Sequence, residues 1–144
     1  MFKLLESCVQ IKRAVVAADP KELGMRKILN VGHTVGHALE SADGYKLSHG
    51  EYVLKGMLTE LAMCNDIVDK EFYAEITRML SALTRPPRTT AGSVLKYALH
   101  DKKNIGGVIT VMLPVSGGDI VEVRMDVDDF TSRYDRALKE LKRA

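Results

Sequence analysis

The sequence predicts a mainly α, multi-helix fold carrying one small antiparallel β-hairpin. Three observations carry that reading: apolar residues recur at helical spacing over most of the first hundred positions, the pattern turns β-branched beyond Asn104, and a Gly-Gly turn divides that later stretch. With 144 residues, 46% of them hydrophobic, the chain is long enough for a single domain with a real core.

The elements follow in order. Leu4, Cys8, Ile11 and Val15 fall on one helical face, so Leu4 to Ala18 is expected as an amphipathic helix ending before Asp19-Pro20, where proline disfavours continuation. Met25 to Glu40 reads as a second helix, although Gly32 and Gly36 each cost about 1 kcal/mol relative to alanine there. Four apart, these glycines share a side and would admit a neighbouring backbone or a ligand. Ser48-His49-Gly50-Glu51 fits a capping box ahead of Val53, Met57, Leu58 and Leu61, which puts His49 in the first turn of a third helix. Lys70 to Leu83 and Gly92 to His100 give two more helices, separated by Pro86-Pro87. Val108 to Leu113 and Ile120 to Met125 are the hairpin strands, joined through Ser116-Gly117-Gly118-Asp119. Asp126 then caps a closing helix with the stripe Val127, Phe130, Tyr134, Leu138 and Leu141.

Composition narrows the function. Lys and Arg number 21 against 19 Asp and Glu, with no basic tract of the kind that follows a phosphate backbone, so no nucleic-acid partner is expected. No apolar run approaches the roughly 20 residues that cross a bilayer, which predicts no membrane partner and a cytoplasmic location. Cys8 and Cys64 lack any Cys-x-x-Cys spacing and are expected as reduced core thiols. There is no βαβ alternation and no Gly-x-Gly-x-x-Gly turn, so no residue of this chain is assigned to cofactor binding.

The chemistry concentrates between Glu22 and Glu51. His33, His37 and His49 are three of only four histidines, and imidazole serves both as a zinc ligand and as a proton carrier near neutral pH. His33 and His37 lie four apart on one helix face, so spacing alone nominates them as a ligand pair. A single His-x-x-x-His is more often structural than metal-binding, but His49 at a helix start strengthens the metal reading, because that position disfavours an imidazolium and suits a neutral ligand. Glu51 stands outside any His-Glu-x-x-His arrangement, which argues against an unrelated zinc hydrolase. His100 is expected as a partly buried structural residue.

The run Asn30-Val31-Gly32-His33-Thr34-Val35-Gly36-His37-Ala38-Leu39-Glu40, followed by His49-Gly50-Glu51 and Gly56-Met57, closely resembles the 3-dehydroquinate synthases of the sugar-phosphate cyclase superfamily. The likeness reaches upstream through Lys12, Glu22-Leu23-Gly24 and Arg26, and downstream to Asp101-Lys102-Lys103 and the hairpin. It implies that residues 1–144 form a single domain, the helical, metal-binding C-terminal domain of the dehydroquinate synthase-like fold, whose NAD-binding N-terminal domain is absent from this chain. The implied reaction converts 3-deoxy-D-arabino-heptulosonate 7-phosphate to 3-dehydroquinate and phosphate in the shikimate pathway, with NAD held mainly by that other domain and with Zn²⁺ or another divalent ion such as Co²⁺. A homodimer is implied for the complete enzyme, and inactivity for the isolated chain.

Carried over by position, the resemblance makes His33 and His49 the metal ligands and His37 a proton-transfer and phosphate-contacting group, in place of the His33–His37 pair. Glu22 takes a proton-acceptor role, and Lys12, Arg26, Asn30 and Lys102 join His33 and His49 in binding a substrate that bears a carboxylate and a phosphate. Lys103 is the alternative to Lys102. Three residues depart from the usual pattern: Val31 where phenylalanine is common, and Tyr52 and Lys55 where small and apolar residues often follow His-Gly-Glu. Two other functions compete, a free-standing helical binding module without catalysis and another cyclase such as 2-deoxy-scyllo-inosose synthase. Asn30 favours the dehydroquinate reading over the second.

Overall fold

The computed structural model describes residues 2–100 and 106–143, and its chain divides into two compact units, Met1–Asn30 and Val31–Ala144. Lys102 and Lys103 lie outside the described residues.

The first unit holds helix α1 (Phe2–Ala18) and a 3-10 turn, Met25–Asn30, that packs back on it. Asp19 organises the connection. Its carboxylate accepts the backbone N–H groups of Leu23, Gly24 and Arg26 at 3.0, 2.8 and 3.1 Å, and those bonds hold it below the usual carboxylate range. Of the stripe expected on α1, only Val15 is buried, while Leu4, Cys8 and Ile11 are exposed. The expectation that Cys8 is a core thiol is therefore wrong. Within this unit the helix meets a single short turn, which is too small to cover four helical turns.

The second unit contains α2 (His33–Asp43), α3 (His49–Met63), α4 (Lys70–Leu83), α5 (Ala91–Ala98), strands β1 (Ile109–Pro114) and β2 (Ile120–Met125), and α6 (Val127–Leu141). Helix α3 is central. Every residue from Leu58 to Cys64 is buried, and the helix packs against α2, α4, α6 and β1. Its N-terminus carries the expected capping box, with Glu51 N–H donating to Ser48 Oγ and Ser48 N–H donating to Glu51 Oε2 at 2.9 Å. The strands pair antiparallel from Ile109↔Met125 to Pro114↔Ile120, and β1 turns Ile109, Val111 and Leu113 inward by simple alternation. Asp126 caps α6, whose stripe Phe130, Tyr134, Leu138 and Leu141 closes the core. Cys64 is buried as expected, and burial pushes its thiol up to about 11, which keeps it protonated and inert. His100 is exposed, contrary to expectation.

The stretch expected as one helix, Met25 to Glu40, is broken. The 3-10 turn ends at Asn30, Gly32 takes φ 74°, and α2 begins afresh at His33. Left-handed backbone is close to cost-free for glycine alone and ends any right-handed helix. The break has a packing cause as well, because α3 passes here in backbone contact. A Cβ on Gly56 would sit on the Gly32 carbonyl oxygen and 2.7 Å from the Gly36 nitrogen. No side chain fits at that crossing, where the backbones of α2 and α3 meet directly at the glycines.

Candidate metal centre

The close crossing sets the stage for three imidazoles. His33 opens α2, His37 follows one turn later on the same face, and His49 opens α3, which arrives alongside. The ring centroids of His33 and His37 are 5.3 Å apart, those of His33 and His49 5.5 Å, and those of His37 and His49 5.4 Å. One nitrogen from each ring lies within 4.8 Å of the other two. Zinc bonds imidazole nitrogen at about 2.0–2.1 Å, so a shared ion needs its ligand atoms no more than about 4.2 Å apart. Side-chain rotations of a fraction of an ångström bring these rings into that range. His33 and His37 are half-buried and His49 exposed, which leaves the cluster open on one side.

Acceptors stand behind the rings of His33 and His49. His33 Nδ1 lies 3.0 Å from the Val31 carbonyl oxygen, and His49 Nδ1 lies 3.3 Å from Glu40 Oε2. Both partners are acceptors, so each favours the tautomer with Nδ1 protonated and the Nε2 lone pair directed outward, the arrangement found behind metal-ligating histidines. Glu40 stands seven residues after His33 and three after His37, hence on the same helix face. It was missed as a site residue in the sequence, although that spacing is its signal.

A second missed residue is Glu60, which is 1% exposed. Its Oε2 accepts the Gly32 N–H at 2.9 Å and its Oε1 the Val35 N–H at 2.8 Å. Burial pushes its carboxyl up to about 8, against the opposing pull of the backbone donors. The signal was an acid set inside the apolar run Leu58 to Met63.

The three departures from the family pattern have structural work. Tyr52 is buried, donates to Asp43 Oδ2 at 2.8 Å and accepts the Lys46 and Leu47 N–H groups at 3.1 and 3.2 Å. It thus ties down the connector that delivers His49. Lys55 donates to the Arg85 carbonyl at 2.8 Å, and Val31 forms a parallel bridge with Met112.

Four further site residues, Lys12, Glu22, Arg26 and Asn30, belong to the first unit. Lys12 is an exposed residue of α1. Glu22 adopts φ 57°, a strained conformation for a non-glycine residue, and its Oε1 accepts from Asn30 Nδ2 at 3.1 Å. Arg26 donates from Nη1 to the Pro20 carbonyl at 3.1 Å. The structure therefore brings together His33, His37 and His49 in one unit, and Glu22 with Asn30 in the other.

A family model described as 3-dehydroquinate synthase C-terminal matches residues 1–104, a span that includes all three clustered histidines. The chain belongs to the 3-dehydroquinate synthase family. The 3-dehydroquinate synthase of Symbiobacterium thermophilum is 42% identical over 136 residues, covering 90% of this chain and 37% of the relative. That of Colwellia psychrerythraea is 36% identical over 138 residues, covering 91% and 39%. The chain thus spans about two fifths of the length of these synthases. A crystal structure of 2-deoxy-scyllo-inosose synthase, complexed with carbaglucose-6-phosphate, NAD⁺ and Co²⁺, superposes with a TM-score of 0.76 at 21% identity, covering 94% of this chain and 39% of that one. At that identity the likeness establishes the dehydroquinate synthase-like fold.

Proposed function

We propose that this chain is the metal- and substrate-binding half of a 3-dehydroquinate synthase, a carbon–oxygen lyase that converts 3-deoxy-D-arabino-heptulosonate 7-phosphate to 3-dehydroquinate and phosphate. The observation that carries the reading is the convergence of His33, His37 and His49 within 4.8 Å, in a chain of that family. The donor set suits Zn²⁺, Co²⁺ or a similar ion, since all three are imidazoles. His33 and His49 are assigned as the ligands by their correspondence to the family motif, and the acceptors that face their Nδ1 atoms suit that role. His37, beside them, is assigned to proton transfer and contact with the phosphate group. When bound, the metal supplies Lewis acidity to a substrate hydroxyl and NAD supplies the hydride acceptor.

The other residues are assigned by their chemistry. Lys12, Arg26, Asn30 and Lys102 provide the cations and donors that a carboxylate- and phosphate-bearing substrate requires. Glu22 accepts a proton. NAD is assigned to an N-terminal domain, in keeping with the roughly two fifths of the synthases that this chain spans, and the complete enzyme is read as a cytoplasmic homodimer. No helix among the described residues is long and apolar enough to cross a membrane.

The ligand assignment has a direct test in the complete enzyme. His33→Ala and His49→Ala should each abolish stoichiometric zinc binding, whereas His37→Ala should keep the metal and lose turnover. Metal analysis beside a phosphate-release assay separates the cases. Equal metal loss from His33→Ala and His37→Ala, with His49→Ala unaffected, would return the site to the pair nominated by spacing alone. The structural likeness to 2-deoxy-scyllo-inosose synthase supports a second reading as another cyclase, which turnover of glucose 6-phosphate in place of the heptulosonate would favour.

A further inference from the structure

Helix α2 starts without a cap of its own. Its N-cap position is Gly32, which offers no side-chain acceptor, although the first N–H groups of any helix need partners. A Ser, Thr, Asp or Asn at that position is the ordinary remedy. It is sterically barred here. Gly32 has φ 74°, and a Cβ there would lie 2.7 Å from the Val53 carbonyl oxygen and 2.8 Å from the Met57 nitrogen, both on the backbone of α3. The acceptor therefore has to come from outside the segment.

It comes from Glu60, 28 residues away in sequence. The two carboxyl oxygens take Gly32 N–H and Val35 N–H, so they straddle His33, whose own ring is held by the Val31 carbonyl one residue before that bracket. Thr34 Oγ1, within the same turn, donates to the Thr110 carbonyl at 2.7 Å and anchors it to β1. Glu60 also belongs to α3, the helix that begins at His49. One buried carboxyl thus ties the backbone frame of one clustered histidine to the helix bearing another. A carboxyl in an apolar interior is costly, and an apolar residue at position 60 would pack more cheaply were the frame of no consequence.

We propose that Glu60 is a positioning residue for the metal site, fixing the first turn of α2 so that His33 faces the same point as His49. The proposal rests on the reading that His33 and His49 ligate a metal, and it adds the residue that registers them. Loss of an outer partner of this kind typically weakens metal binding by about 10–100-fold.

The test is Co²⁺ titration of the full 144-residue chain, followed by the visible d–d band, whose intensity reports coordination geometry, with circular dichroism to monitor folding. Glu60→Gln keeps the shape but replaces one oxygen with an amide nitrogen that donates and cannot accept. It should retain helicity while Co²⁺ affinity falls by at least about tenfold and the band changes intensity. Glu60→Leu should fall further. A folded Glu60→Gln with wild-type affinity and an unchanged band would overturn the proposal and leave the metal reading standing. Wild-type chain that binds no Co²⁺, or His33→Ala and His49→Ala chains that bind it as wild type does, would instead overturn the metal reading. Should neither Glu60 variant fold, amide hydrogen exchange of the wild type decides: Zn²⁺ should slow exchange at Gly32 and Val35, and rates indifferent to Zn²⁺ would refute the coupling.

Discussion

Single residues decide most of what this molecule does. Glu60 is the clearest case for a measurable consequence, since its carboxyl sits at about 8 in the folded chain against an ordinary value of 4.5. A folded-state value above the unfolded one means that the native protein binds the proton more tightly. The associated stability is complete below about pH 4.5, falls as pH rises through 8, and is constant beyond. The loss is on the order of a few kcal/mol. Urea unfolding between pH 5 and pH 9 should show that decline in the wild type and a nearly flat profile in Glu60→Gln; parallel profiles would refute the assignment. Asp19 has the opposite sign. Its carboxyl is held low by three N–H groups, so its contribution is present above the unfolded value of 3.8 and disappears as pH falls below it. At this scale the sequence was half legible. The histidines and their partners by resemblance could be named because their types and spacings are unusual, whereas Glu40 and Glu60 are common residues whose importance lies in what they touch. Cys8 and His100 were misjudged for the same reason, since burial is a property of neighbours that a local pattern does not contain.

At the scale of elements, local signals succeeded wherever the cause is local. The capping box at Ser48, the acidic cap Asp126 and the Gly-Gly hairpin turn all formed as read, because each involves residues within a few positions of one another. Ser48→Ala should accordingly cost about 1 kcal/mol in chemical denaturation and loosen the first turn of α3, which bears His49. The break at Gly32 was not legible. Glycine in a helical pattern reads as a modest local penalty, while here the deciding partner is Gly56, twenty-four residues on. Gly56→Ala should destabilise the chain by about 3 kcal/mol or more, since its methyl group meets backbone atoms that cannot rotate aside. It should also abolish Co²⁺ binding in any folded remainder, by pushing α3 and His49 away from α2. Thermal unfolding and metal titration of the variant check both; a fully stable, metal-binding Gly56→Ala protein would contradict the crossing described.

For the whole molecule, the distribution of buried residues separates structure from catalysis. The principal core cluster runs from Val35 to Leu141, so the second unit has a core of its own on which to fold. The chain spans only about two fifths of the synthases it resembles. It should therefore fold cooperatively and yet release no phosphate from the heptulosonate substrate above a His33→Ala control, even with NAD and zinc supplied. Addition of a separately produced N-terminal half should restore turnover if their surfaces are complementary. Turnover by the isolated chain would place a complete site within these residues.

The contact between Gly32 and Gly56 also bears on how such a chain can change over generations. A clash between two side chains can be relieved by shrinking either one. Here the atom in the way is a carbonyl oxygen, which every amino acid carries, so no replacement at position 32 makes room for a side chain at 56. Nor can a shift of α3 be tolerated, because His49 would leave with it. Position 56 thus lacks the compensating partners through which most core positions drift, and a library randomised jointly at 32 and 56 and selected for metal binding should return glycine at 56 whatever it returns elsewhere.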